Sequence, residues 1–481
     1  MITRLAFIAI LGVAMLKSQA FAQEVLDRTK RPVPKVLPNV ELPLIQKATL
    51  ANGLNVWLVE KHQLPLVAFN LVINAGSDHD PPSGPGVASM TAELLDEGTE
   101  TRTALQIAEQ LDFLGASFSI RSALDGTFIS LNTLTKHLDE ALRVYADVLA
   151  HPTFPQAEFD RLKNQRLASL LQQKDQPATI ASISFNRIIY GADHSYGNNA
   201  AGTEKSIKDL RRENLVEFYN RYYRPNNATL IVVGDTELKD ITAKFEHAVQ
   251  DWKPGATAPP QLPPTPVVER RRVYMIDKPG AVQSEIRIGY PALARNTPDF
   301  FAVTLMNRIL GGQFSSRLNL NLREKHGFSY GVRSAFSFTK HPGPFVASGA
   351  VVTAKTDSAL REFLYEIDLM HNQSATNEEL DFVKKGLTGN FALGFETPSQ
   401  IAAALTSVAL YGLPENYLQT YIENIHHVSR EQVETASKKY LDTSKMAIVF
   451  VGDLKAVREN VEKLKLGDTV ICDLEGNTLP Q

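Results

Sequence analysis

The chain has 481 residues, 43% of them hydrophobic and 21% charged, without low-complexity tracts, which excludes a wholly disordered protein and calls for more than one buried core. A formal charge of −3 and a pI near 6.4 leave no basic field for phosphates, so nucleic acid is excluded as a partner class. Cys472 is the single cysteine, which rules out an intramolecular disulfide and a cysteine-rich metal site.

Residues 1–22, MITRLAFIAILGVAMLKSQAFA, place Arg4 ahead of an apolar run from Leu5 to Leu16 and end on Ala20-Phe21-Ala22. This is the pattern of a secretory signal peptide cut after Ala22. The run is shorter than the roughly 20 residues a membrane span needs, and no later stretch is long and apolar enough to be one. The expectation is an exported chain in a bacterial periplasm.

Val67, Phe69, Leu71 and Ile73 recur every second residue and predict a strand with one buried face. Residues 86–97 predict a short helix, with Val87, Met90 and Leu94 along one face and Ser89 and Glu93 sharing another. Leu138, Ala141, Leu142, Tyr145, Val148 and Leu149 follow helical spacing. RPNNATLIVVGD, ending at Asp235, reads as a buried strand and a turn. Residues 251–266, DWKPGATAPPQLPPTP, hold six prolines and form a semi-extended linker.

Beyond the linker, Ile286, Ile288 and Tyr290 alternate as a strand, and Gly311-Gly312 ends a helix. In LREKHGFSYGV (322–332), Leu322 and Arg323 close another helix, Gly327 suits its left-handed cap, and FSYGVRSAF reads as a strand. Such a corner can bring the Arg323 guanidinium and the Tyr330 phenol close together. Leu360, Phe363, Leu364, Ile367 and Met370 mark a helix, and Thr376 with Glu379 a capping box for the next. DTSKMAIVFVGD ends at Asp453, 218 residues after its counterpart. GASFSIRSA and GFSYGVRSA begin 212 apart, at Gly115 and Gly327, and Gln176-Pro177 and Thr397-Pro398 lie 221 apart. Several pairs in one order with small drift imply an internal duplication. The predicted organisation is a signal peptide (1–22), an N-terminal domain (38–250), the linker (251–266), a C-terminal domain (267–466) and a tail (467–481). Each domain is α+β, a mixed sheet with helices on one face.

Two histidines one helical turn apart can aim at one metal, with a neighbouring glutamate as base. The blocks TLANGLNVWLVE (49–60), NAGSDHDPPSGPGVASM with TAELLDEGT (74–99), NNATLIVVGD, QSEIRIGYPAL (283–293) and LREKHGFSYGV resemble the pitrilysin, insulin-degrading enzyme and mitochondrial processing peptidase family over essentially the whole mature chain. That family carries an inverted zinc motif, His-x-x-Glu-His. Laid onto it, Ser89 and Glu93 stand at the histidine positions and Ala92 at the catalytic glutamate. The family's third ligand, a glutamate about 76 residues after the second histidine, falls on Ser169. One remaining carboxylate cannot hold a catalytic zinc, which needs three protein ligands. Neither His79 nor the acidic group Glu93, Asp96 and Glu97 offers a convincing replacement site, since such runs are usually solvated or paired with basic residues.

The resemblance also implies a role for Arg323 and Tyr330. In the family such a pair reaches the zinc site of the N-terminal domain and touches the substrate backbone, where both groups can stabilise an oxyanion. Their first-half counterparts, Leu111 and Phe118, cannot. Arg323 and Tyr330 without zinc ligands resemble the metal-free subunit of the family's heterodimers. The expected partners are a homologous zinc-bearing peptidase subunit and a peptide substrate, with zinc in the partner and no cofactor in this chain. The alternative is a catalytically inactive scaffold or peptide-holding protein, for which Arg323 and Tyr330 are dispensable. Cys472 is either a chance tail thiol or an intermolecular disulfide partner.

Overall fold

The alternating apolar residues become strands. The computed structural model describes residues 44–373 and 375–480, and the signal-peptide segment lies outside them. The first half contributes β1 (Gln46–Thr49), β2 (Asn55–Glu60), β3 (Leu66–Ile73), β4 (Ser117–Ser122), β5 (Thr127–Leu134) and β6 (Ala228–Gly234). The second contributes β7 (Arg272–Asp277), β8 (Gln283–Leu293), β9 (Val332–Phe336), β10 (Gly343–Val352), β11 (Ala447–Gly452) and β12 (Asp468–Cys472). The strand orders are β1-β2-β6-β3-β5-β4 and β12-β7-β11-β8-β10-β9.

The last five strands of each order repeat one design. β2 runs parallel to β6 as β7 does to β11, and the other neighbours in this set are antiparallel in both sheets. The duplication is therefore structural. Only the sixth strands differ: β1 forms an antiparallel hairpin with β2, whereas β12 lies parallel to β7. The segment expected to be a tail thus contains a strand, Asp468–Cys472, that completes the second sheet. Five residues directly after Gly467 give too short a pattern to reveal a strand.

The helices that matter here are α1 (Val87–Leu94), α2 (Leu138–Ala150), α3 (Gln156–Gln173), α4 (Pro177–Tyr190), α5 (Phe300–Leu310), α6 (Thr356–Asn372), α7 (Asn377–Leu393) and α8 (Pro398–Tyr411). The predicted apolar residues of α2 and α6 are buried in their own halves, and Thr376 and Glu379 cap α7 reciprocally as expected.

Helices of its own half cover one face of each sheet. The other face is covered by a helix from the opposite half, which alternation alone did not disclose. Ile180, Ala181, Phe185 and Ile189 of α4 pack with Ile276, Val449 and Val451 of the second sheet. In return, Ile401, Leu405 and Val408 of α8 join Val59, Val72, Ile231 and Val233 of the first. The two exchanged helices begin at the duplicated Gln176-Pro177 and Thr397-Pro398, each with proline in its first turn. The linker, without regular structure, joins halves that complete each other's cores.

Candidate functional site

The degenerate zinc motif lies on α1. Gly86 caps it at φ 101°, where a Cβ would meet Gly202 and Ile207 at 3.0 Å. The buried Asp80 completes the start: its carboxylate accepts from the backbone N–H of Gly86 (2.8 Å) and Ala88 (2.7 Å). Burial pushes this carboxyl up to about 7, against the lowering effect of those two donors.

Ser89 and Glu93 come together on one face of α1, and the group between them is a guanidinium. Arg166, on α3, donates through Nη1 to Ser89 Oγ (2.9 Å) and to the Ala201 carbonyl (2.8 Å), and through Nη2 to Glu93 Oε1. Its side chain is only 9% exposed, whereas that of Glu93 is 47% exposed. Ala92 is buried, and Ser169, one turn beyond Arg166, makes none of these contacts. One turn along α1's axis, Glu97 pairs with Arg161 of α3 at 2.6 Å. Glu93 and Glu97 are therefore paired with arginines, as the plainer expectation had it; Asp96 is half-buried, and burial raises its carboxyl to about 6. His79 is turned inward, 2.6 Å from Asp78 and edge-on to Tyr222.

A serine, a carboxylate already paired and a guanidinium do not fit a zinc ion, which needs neutral imidazole, thiolate or free carboxylate donors. Among the described residues no group of three or more histidine, cysteine or acidic side chains is placed to hold a metal. Arg166 was not singled out in the sequence. Its signal was an arginine one turn before the expected third ligand, on the face of α3 that meets α1.

The second candidate feature is the corner at 320–331. Leu320–Lys325 winds as a π-helical turn, and Gly327 follows at φ 63°, the left-handed cap expected. Asn321 anchors this turn by donating to Glu362 and Glu366 of α6, both at 2.8 Å. The amide donor sits between two acids on one helix face, and burial raises the Glu366 carboxyl. Arg323 lies over the Phe314 ring at 4.4 Å, with Nη1 3.1 Å from Glu324 Oε1. Phe314 is itself 69% exposed, a neighbour that sequence reasoning missed.

Tyr330 is not in a strand. The Ser329 hydroxyl accepts from the Gly331 N–H and contacts its carbonyl, both at 3.0 Å, closing a local turn that delays β9 until Val332. Tyr330 is 93% exposed, which excludes a core strand role. Its counterpart Phe118 lies in β4 and packs against Tyr145. No hydrogen bond joins Arg323 to Tyr330; Tyr330 stands in solvent, whereas Arg323 is half-buried against Phe314. Gly311 ends α5 as expected.

Cys472 is a core residue of β12, packed with Ile180, Phe185 and Ile276, and burial pushes its thiol up to about 11. An intermolecular disulfide at this buried position is thereby contradicted.

Residues 55–193 match the family model described as Insulinase (Peptidase family M16), and residues 209–387 that described as Peptidase M16 inactive domain. The crystal structure of a peptidase M16 inactive domain from Pseudomonas fluorescens is 30% identical, with a TM-score of 0.80 over 85% of this chain and 98% of that one. A protease structure from Helicobacter pylori, 20% identical, superposes with a TM-score of 0.81 over 86% and 100% of the two chains, a likeness of fold. Among curated proteins, the non-peptidase homolog YmxG of Helicobacter pylori is 25% identical over 82% of this chain and 91% of its own length. The uncharacterized zinc protease YmxG of Bacillus subtilis is 24% identical over 85% and 98%.

Proposed function

The chain belongs to peptidase family M16, and from that premise we propose that it is the metal-free subunit of a two-chain peptidase. On this reading a homologous partner carries the zinc, and this chain lends Arg323 and Tyr330 to the peptide being hydrolysed. The observation that carries it is the asymmetry between the halves. The motif helix is tied up by Arg166, while Tyr330 projects into solvent from the turn closed by the Ser329 hydroxyl, seven residues after Arg323. A tyrosine hydroxyl and an arginine can donate to the oxyanion that develops on an attacked peptide carbonyl. An exposed phenol with no packing duty is suited to work across an interface.

Export to a periplasm, with cleavage after Ala22, belongs to the same proposal and rests on the leader-like residues 1–22. Amino-terminal sequencing of the secreted chain tests it: a start at Gln23 is expected, and a retained leader contradicts it. Co-expression with the M16 chain bearing His-x-x-Glu-His tests the pairing. A complex near twice the subunit mass is expected on size exclusion, and separate elution at micromolar concentration contradicts it.

A second reading, a catalytically inactive peptide-holding protein, is favoured by one observation. Arg166 preserves the packing of α1 where chemistry is lost. The name non-peptidase homolog, carried by the Helicobacter relative, accords with it. Under this reading Tyr330 and Arg323 are dispensable.

A further inference from the structure

We infer that the guanidinium of Arg166 is a built-in substitute for the family's metal ion: it occupies the cation position, ties α1 to α3 as a bound metal would, and bars zinc from the site. Three observations carry this. Arg166 bonds both residues at the motif's ligand positions, Ser89 Oγ at 2.9 Å and Glu93 Oε1. A single planar cation thus bridges two positions one helical turn apart, the task that a tetrahedral ion performs with two imidazoles. It also reaches the Ala201 carbonyl at 2.8 Å, so α1 and the segment around Ala201 are both fastened to α3 through it. Finally, it is 9% exposed, so it could not be on this inner surface without such partners.

The motif helix therefore keeps its place without metal. A lone charge at this depth is costly unless paired, so Ser89, Glu93 and Ala201 each answer a need of Arg166 as much as the reverse. The same geometry has a second consequence. Restoring the ligands alone does not restore the metal, because a doubly charged ion would share its position with a fixed positive charge. At contact distance that repulsion weakens zinc binding by more than about 100-fold, even at an intermediate effective dielectric. The inference concerns this chain alone and holds whether or not a zinc-bearing partner exists.

The test compares two variants of the full mature chain. The first carries Ser89→His, Glu93→His and Ser169→Glu; the second adds Arg166→Ala. Each is loaded with zinc chloride, dialysed, and measured for bound metal and for the shift in Tm on adding chelator. The expected result is no retained zinc in the first and stoichiometric, chelator-sensitive zinc in the second. Stoichiometric zinc in the first overturns the inference, as does none in a folded second variant. Should either variant fail to fold, a thermal cycle of Glu93→Gln, Arg166→Gln and the double change decides instead. Coupled residues give a double variant whose Tm loss is smaller than the sum of the two single losses. Additive losses overturn the inference.

Discussion

Replacing Leu405 by alanine should loosen a sheet to which Leu405 does not belong in sequence. Leu405 lies on α8 in the second half, is 1% exposed, and packs with Val59, Val72, Ile231 and Val233 of the first sheet. A fully buried Leu→Ala change costs about 2–5 kcal/mol, the spread reflecting how far the cavity collapses. One kcal/mol moves Tm by about 2–4 °C in a unit of 150–250 residues and by about half as much in one twice that size. Because the halves complete each other's cores, the larger unit applies, and the expected fall is about 2–10 °C in one shared transition. Calorimetry reads the transition, and hydrogen exchange reads its location. Peptides spanning β3 and β6 should exchange faster in the variant although the altered residue is more than 150 positions away in the chain. Unchanged protection in β3 and β6, or two separate transitions of which only the second moves, would refute the exchange of helices as a source of stability.

Cys472 should resist a thiol reagent in the folded protein and react once it is unfolded, since it is buried and its thiol is pushed up to about 11; rapid native labelling contradicts this. Asp80 should make stability fall as pH rises: its folded value of about 7 lies above the ordinary 3.8, so the folded state holds the extra proton between those limits and its advantage is lost as pH climbs through them. Asp80→Asn should therefore flatten the dependence of Tm on pH between about 4 and 7 relative to the parent, and an unchanged slope counts against the assignment. The purified chain alone should retain no stoichiometric zinc after dialysis, show no Tm shift with chelator and leave unstructured peptides intact. Tightly held zinc with chelator-sensitive cleavage would sink the metal-free reading.

Local patterns carried the individual elements. The alternation at Val67–Ile73, the helical spacing at Leu138–Leu149 and the Thr376–Glu379 capping box all describe residues within one element, and each appears in the structure. The duplicated dipeptides at 176–177 and 397–398 were visible too, but not their destination. Which sheet a helix covers is decided by contacts between residues far apart in sequence, and periodicity holds no record of them. The strand β12 was missed for want of length. Of the site, the empty motif at Ser89, Ala92, Glu93 and Ser169 was legible as a set of substitutions, whereas Arg166 was not. A buried arginine is recognisable only once its partners on α1 and at Ala201 are placed around it. The corner at Tyr330 was misread as strand because β-prone residues run on from Phe328, and the Ser329 turn that interrupts them is a matter of backbone geometry.

The measurement closest to the central claim is the turnover of the reconstituted two-chain complex when this subunit carries Tyr330→Phe. The change keeps the ring and removes only the hydroxyl, and at 93% exposure it leaves no cavity in this chain. Losing one oxyanion donor costs about 2.7–4 kcal/mol of transition-state stabilisation, so kcat should drop by about 10²–10³ while zinc content and complex mass stay unchanged. A complex that assembles normally and cleaves peptide at nearly the parental kcat would contradict the claim that this chain contributes to catalysis.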